Sequence, residues 1–300
     1  MLDKEDLNLI LKEIQNQKYQ KVIDIKLPQI EFKEDISNNI SKNNFVFIDS
    51  SYITGVVGYI SYIFARAVGI SYDRMYILKD FISIPESYVN PENTIESLSI
   101  GELGEMLSKA LEYKIAKESD GIPVIDGSLL SDAILFGKRY KFFENNIQKR
   151  YDEFLKNFEH VFKKGLITIA KRIVGGNFFA CGSQSDFIIL LNKFEDNEFY
   201  VGPFIRDLKQ KQSEFPYKIN AIYFRARKGD HIYRMEYSEF LDEKTATSFL
   251  YTEVYKNKRY PRGLKLAHNR CKIVYKEKII VEDIIKSSLG LSNSFGWETK

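Results

Sequence analysis

Asp49 and Asp126 stand in matched surroundings. FVFI precedes the first and IPVI the second, and small polar residues follow each, Ser50-Ser51 and Gly127-Ser128. Apolar runs of this kind read as buried strands. An aspartate at the end of such a strand projects a carboxylate from a rigid sheet into a cleft. Two such strands side by side bring like charges together, and the pair must then share a proton or a cation. Oxygen ligands suit hard divalent ions such as Mg2+ and Mn2+. A pair of such ions supports phosphodiester hydrolysis. The competing reading is two ordinary turns, because Asp-Gly and Asp-Ser are favoured wherever strands end.

A third carboxylate has two candidates. LSIGELGEMLSKALEYKIAKE, residues 98–118, has the strongest helical period in the chain. Leu103, Leu107, Ala110 and Leu111 share one side. Glu105 and Glu112 are seven apart and fall together on the opposite face. Either is a candidate ligand, against the plainer reading of a solvated helix face.

The most uneven charge lies near the C-terminus. Residues 256–272 carry Lys256, Lys258, Arg259, Arg262, Lys265, Arg270 and Lys272 and no acid. Such a segment can neutralise several phosphates, or simply solubilise a surface. His268 lies within it, after an apolar stripe of Leu264, Leu266 and Ala267 in an expected short helix following Pro261. There it is a candidate metal ligand or general acid. His160 and His231 have no comparable setting.

The elements that must position these groups alternate between strand and helix. Residues 4–20 have one apolar helical face, Leu7, Ile10, Leu11 and Ile14. Strands are expected at 45–51, as one or two pieces with glycine bends within 55–71, and at 75–84, 122–130, 167–173 and 186–194. A hairpin around Gly229-Asp230 joins strands at 219–229 and 231–237. Helices are expected at 140–164, 240–257 and 279–287. Gly175-Gly176 and residues 205–218 read as exposed loops. No internal repeat, low-complexity tract or proline-rich linker interrupts the chain. The pattern predicts an α/β fold with a mixed sheet.

The 300 residues fit one large domain. With 44% hydrophobic and 28% charged residues, the chain can bury a real core and is not disordered in bulk. A net charge of +3 is too small to argue for nucleic acid by itself. Cys181 and Cys271 form no zinc spacing and fit reduced thiols in the cytoplasm. No stretch approaches the ~20 apolar residues of a membrane span, and the N-terminus is acidic and amphipathic, with no apolar signal core. The absence of a GxxxxGK[ST] loop argues against ATP hydrolysis by this chain.

Taken in order, four segments resemble the NurA nucleases, a family that works with the HerA hexameric ATPase in DNA end processing. FVFIDSS is similar to the family's first strand with its aspartate. The helix at 98–118 is similar to its glutamate-bearing helix, and IPVIDGSLL to its Asp-Gly-Ser strand. YPRGLKLAH is similar to its terminal motif, with His268 eight positions after Tyr260. ITIAKRI and YRMEY are looser likenesses, so the resemblance spans about residues 40–275 of a single domain that also carries an N-terminal helical arm at 1–27.

This resemblance implies a ribonuclease H-like mixed sheet flanked by helices, with additional helices and the C-terminal basic segment. It implies a metal-dependent deoxyribonuclease with 5′–3′ exonuclease and single-strand endonuclease activity, acting in end resection and repair. Two Mn2+ or Mg2+ ions, a homodimer and a HerA-type partner come with it. Carried over, Asp49 and Asp126 are metal ligands, with Glu105 preferred over Glu112 as the third. Tyr260 places the scissile strand, and His268 completes the metal site or moves a proton. Lys171, Arg259, Arg262, Lys265 and Arg270 contact DNA. Two other functions compete. A phosphotransferase of the actin and sugar-kinase class also uses strand-end aspartates, but needs a second glycine-rich phosphate hairpin that this sequence lacks. A catalytically silent DNA-binding subunit would keep the basic segment without needing the carboxylates.

Overall fold

A computed structural model describes residues 26–32, 45–85, 94–95, 98–142, 144–171, 178–179, 185–208 and 215–291. The expected helix at 4–20 and the Gly175-Gly176 loop lie outside them. Ten strands are described: β1 (Phe45–Val57), β2 (Ile60–Ile70), β3 (Met75–Pro85), β4 (Thr94–Ile95), β5 (Leu98–Ser99), β6 (Ile122–Asp126), β7 (Ile167–Ala170), β8 (Phe199–Asp207), β9 (Lys218–Arg225) and β10 (Tyr233–Ser238). Apart from the short β4-β5 ribbon they form one eight-stranded sheet in the order β3-β2-β1-β6-β7-β10-β9-β8. β1, β2 and β3 form an antiparallel meander. β6 runs parallel to β1, and β7 parallel to β6. The remaining three strands continue antiparallel. This is a mixed, ribonuclease H-like sheet.

Seven α-helices are described: α1 (Ile100–Glu118), α2 (Leu129–Gly137), α3 (Asn145–Lys164), α4 (Asp186–Phe194), α5 (Glu243–Phe249), α6 (Arg262–Cys271) and α7 (Tyr275–Ser288). Helices cover both faces of the sheet, each matching the period-two alternation of the strands. On one face Val46 and Ile48 of β1 pack with Leu103, Leu107 and Leu111 of α1 and with Phe154, Phe158 and Phe162 of α3. On the other, Phe45, Val124, Ile167 and Ile169 pack with Phe249, Val254 and Leu264. α1 starts on a reciprocal cap: Ser99 accepts from Glu102 N, and the Glu102 carboxylate accepts from Ser99 N. Among the described residues no helix is long and apolar enough to cross a membrane.

Several boundaries differ from the sequence reading. FVFIDSS does not end a strand, because β1 continues to Val57 and turns through Gly58, whose φ is +59°. DFIILLNKF is helix α4 and not a strand. A short apolar run does not separate the two by period. What decides is Ser185, which caps the helix, and Asp186, which is fully buried and accepts from Phe178 N at 2.6 Å. β8 was missed because Gly202-Pro203 interrupts its pattern, with a register shift between Val201 and Phe204. Residues 205–207 of the expected loop therefore belong to a strand. LLSDAILFG is helix α2, where the sequence reading carries the strand on to residue 130 and places no helix between there and residue 140. The helix expected at 240–257 is α5 followed by a π-helical turn, Leu250–Tyr255.

Candidate active site

β1 and β6 pair in parallel from Phe45↔Ile122 to Ile48↔Ile125. Asp49 and Asp126 each come one residue after that last pair. By alternation Asp49 shares a face with Phe45 and Phe47, and Asp126 with Ile122 and Val124, which is the face carrying α6. β6 stops at Asp126, while β1 carries Asp49 in its interior. Gly127 turns the chain at φ +145°, where a side chain is strained and a Cβ would come within 2.8 Å of Lys109 Nζ.

That turn is anchored from behind by a residue the sequence reading did not single out. Glu236 of β10 is completely buried. It accepts from Ser128 Oγ at 3.1 Å, Leu130 N at 2.8 Å and Arg234 Nε at 2.5 Å. An acid inside the apolar strand YRMEY was the available signal, since a buried charge must be paired.

The third carboxylate comes from α1. Glu112 is 1% exposed. It accepts from Ser50 Oγ at 2.5 Å and from Lys109 Nζ at 2.8 Å. Burial pushes its pKa up to about 8, with Lys109 opposing and the charge of Asp49 adding to the rise. Burial also raises Asp49, and Asp126 adds to it. Burial works against the charge of Lys109, yet Asp132 and Glu112 hold its pKa above the ordinary lysine value. Glu105 lies two turns away, on the order of 10 Å along the helix. It is exposed and close to Tyr52, whose pKa rises from burial and from the Glu105 charge. The two glutamates do share a face toward β1, but Glu112, not Glu105, joins the carboxylate cluster. The expected solvated face is closed at Glu112.

α6 brings the histidine. Its inner face is Leu264, Ala267 and Cys271, all fully buried. Leu266 was expected in that stripe and is instead 42% exposed. Gly263 lies so close to the Phe47 ring that a Cβ has no room. This close seat of α6 on β1 puts His268 Nδ1 2.8 Å from Asp49 Oδ2. Ligand atoms of Asp49, His268 and Cys271 all lie within 4.8 Å of one another. The Cys271 thiol is pushed up by burial and by the charges of Asp49 and Glu112.

Lys171 Nζ donates to Asp126 Oδ2 and sits 4.8 Å from the Tyr260 ring centre. Tyr233 packs on the same ring with centroids 5.2 Å apart. The Tyr260 hydroxyl oxygen is buried and, among the described residues, makes no well-formed hydrogen bond. Burial and the nearby Asp126 charge raise its pKa, so Asp126 is close without reaching full hydrogen-bond geometry. Arg259, Arg262, Lys265 and Arg270 are exposed. Among the described residues none of these four is in an ion pair. Lys258 is instead held by Glu198 at 2.9 Å, and Lys256 lies over the Tyr251 ring.

Each carboxylate thus has its own basic neighbour: Asp49 has His268, Glu112 has Lys109 and Asp126 has Lys171. Crowded carboxylate oxygens, with Asp49 and Glu112 pushed up by burial and by neighbouring charge, are the donor set a hard divalent cation relieves. A neutral, buried thiol is not part of such a set. The residues therefore fit a divalent metal cofactor held through carboxylate oxygen and imidazole nitrogen.

No curated protein sequence matches the chain. Solved structures do. The NurA nuclease from Sulfolobus solfataricus superposes with a TM-score of 0.63 at 16% identity, over 99% of this chain and 100% of that one. A structure of NurA with manganese gives 0.60 at 12% identity, over 95% and 97%. One of NurA bound to dAMP and manganese gives 0.60 at 13% identity, over 99% and 98%. At such identities the likeness is one of fold. The sequence itself matches the NurA domain model over residues 43–273. That span contains every carboxylate of the cluster together with His268, and its ligand atoms support metal-dependent nuclease activity. The chain belongs to the NurA family of nucleases.

Proposed function

We propose that this chain hydrolyses phosphodiester bonds in DNA, with Asp49, Glu112, Asp126 and His268 holding two divalent ions, Mn2+ or Mg2+. The observation that carries the reading is the placement of Asp49 and Asp126 on one face of neighbouring parallel strands, with Glu112 and His268 converging on Asp49. Bound divalent ions supply a nucleophile at neutral pH and neutralise charge on the scissile phosphate. The protein's own groups do the rest. Glu236, through Ser128 and Leu130 N, fixes the turn that aims Asp126. Asp49 fixes the ring of His268 through Nδ1. Tyr260 and Lys171 border Asp126 and orient the strand to be cut. Arg259, Arg262, Lys265 and Arg270 bind flanking phosphates, adding affinity without sequence preference.

The same reading has the chain act as one NurA-like domain over residues 1–300, as a homodimer. Its work is DNA end resection with a HerA-type hexameric ATPase, through 5′–3′ exonuclease and single-strand endonuclease cleavage. It acts in the cytoplasm, where the free thiol of Cys271 stays reduced. The deciding experiment is cleavage of single-stranded DNA by the purified protein with Mn2+, comparing Glu112→Gln with Glu105→Gln. Loss in Glu112→Gln and retention in Glu105→Gln is expected. The reverse pattern moves the third ligand to Glu105, and an inactive wild type sinks the nuclease reading.

A further inference from the structure

Cys271 is the one ligand-type group at this site for which hard-ion chemistry has no use. Mg2+ and Mn2+ take oxygen and leave thiols alone. Yet the thiol, though fully buried on the inner face of α6, does not have apolar neighbours alone. Its Sγ belongs to the same cluster of atoms as a carboxylate oxygen of Asp49 and a ring nitrogen of His268, all within 4.8 Å. His268 and Cys271 are three apart on α6, so both leave the helix on one side. Asp49 is steadied by Ser50 N, which donates to Oδ1 at 2.8 Å.

We propose that Asp49, His268 and Cys271 form a zinc-capturing site that competes with the productive ion and switches the nuclease off. The inference rests on the nuclease reading above. One nitrogen, one oxygen and one sulfur ligand, with a fourth position open to water, is a donor set suited to Zn2+. Bonds of roughly 2.0–2.3 Å to a tetrahedral ion put neighbouring ligand atoms somewhat under 4 Å apart, so the cluster needs only a modest contraction. Zn2+ also binds N, O and S sites more tightly than Mn2+ does. The capture step balances simply. The Cys271 S–H bond breaks, a Zn–S bond forms and one proton leaves to solvent, with no change of oxidation state. The thiol's contact with His268 O, Sγ to O at 3.3 Å, is a weak one to give up.

The test uses the full chain stripped of metal, with Co2+ as the spectroscopic stand-in for Zn2+. Wild type and Cys181→Ser should develop the near-ultraviolet thiolate-to-cobalt charge-transfer band, and one equivalent of Zn2+ should abolish it. Cys271→Ser and Cys271→Ala should lack the band and bind Zn2+ at least about tenfold more weakly, the smallest loss seen even for groups that only support a ligand. With each protein normalised to its own Mn2+-dependent rate, Zn2+ should inhibit wild type at concentrations at least about tenfold below those needed for Cys271→Ser. Absence of the band in wild type, its survival in Cys271→Ser, or equal zinc affinity in both overturns the site. Equal zinc sensitivity of cleavage overturns the switch. If a Cys271 variant fails to fold, the wild-type and Cys181→Ser titrations still decide whether a thiolate binds the ion. If no protein cuts DNA with Mn2+, the nuclease reading fails while the cobalt spectra still report on the thiolate site.

Discussion

Asp49 and Asp126 extend from the same level of two parallel strands, each one residue past the Ile48↔Ile125 pair. Their shared face makes them a unit. Asp49→Asn and Asp126→Asn should each lower the single-turnover cleavage rate by about 100-fold or more, the scale of losing one fixed electrostatic contributor. The double variant should be little worse than either single one, because groups acting together are strongly non-additive. Rate losses that multiply in the double variant would show that the two carboxylates work separately.

Glu112 gives the metal-free protein a particular pH dependence. Its pKa is raised from 4.5 to about 8 by burial and by Asp49. The folded state therefore keeps a proton that the unfolded chain has already released. This contribution to stability is complete below about pH 4.5 and is lost as pH rises toward about 8. Between pH 5 and 8 the melting temperature without metal should fall by at least ~2 °C, the shift produced by about 1 kcal/mol. Glu112→Gln should flatten that slope. An unchanged slope in this variant assigns the effect elsewhere.

His268 can be separated from a structural role by its exposure. Its side chain is 54% exposed, so His268→Ala should leave the melting temperature close to wild type. Cleavage should fall by ~10²–10⁴-fold if the ring moves a proton. If the ring is a ligand, high Mn2+ should recover part of the rate by mass action. A destabilised variant with full specific activity would remove His268 from the chemistry.

The seat of α6 can be probed at Gly263. Within an exposed helix, Gly→Ala stabilises by about 1 kcal/mol. Here the added Cβ meets the Phe47 ring. Gly263→Ala should therefore destabilise by ~1–3 kcal/mol, as overpacking does, and weaken Mn2+ binding by moving His268 away from Asp49. Titration calorimetry and thermal melts check both. A stabilised variant with normal Mn2+ affinity would show that the helix has room to spare.

What the sequence revealed divides along physical lines. The two aspartates were legible because apolar runs before them announce buried strands, and His268 because a basic amphipathic segment surrounds it. The choice between Glu105 and Glu112 was not. Both satisfy the same helical period, and only the level at which α1 crosses β1 sets one beside Ser50 and the other beside Tyr52. Glu236 was hidden because its role is read through Ser128, 108 residues away in sequence. α4 and β8 were misread for opposite reasons. One has an apolar run too short to show a period, and the other contains a proline that breaks one.

The two margins of the sheet are not equivalent. Along β8, Gln29 bridges to Val201, Ile30 N donates to Tyr200 O at 2.9 Å and Gly202 N donates to Pro28 O at 3.0 Å. That margin already has a companion strand of the chain's own. Among the described residues β3 has only β2 beside it, and Met75, Ile77 and Phe81 are exposed. Among the described residues, then, the sheet can be lengthened by a foreign strand in one direction only. Among the described residues of this sheet, backbone templating, whether by a peptide in register or by an aggregating neighbour, has its port of entry along β3.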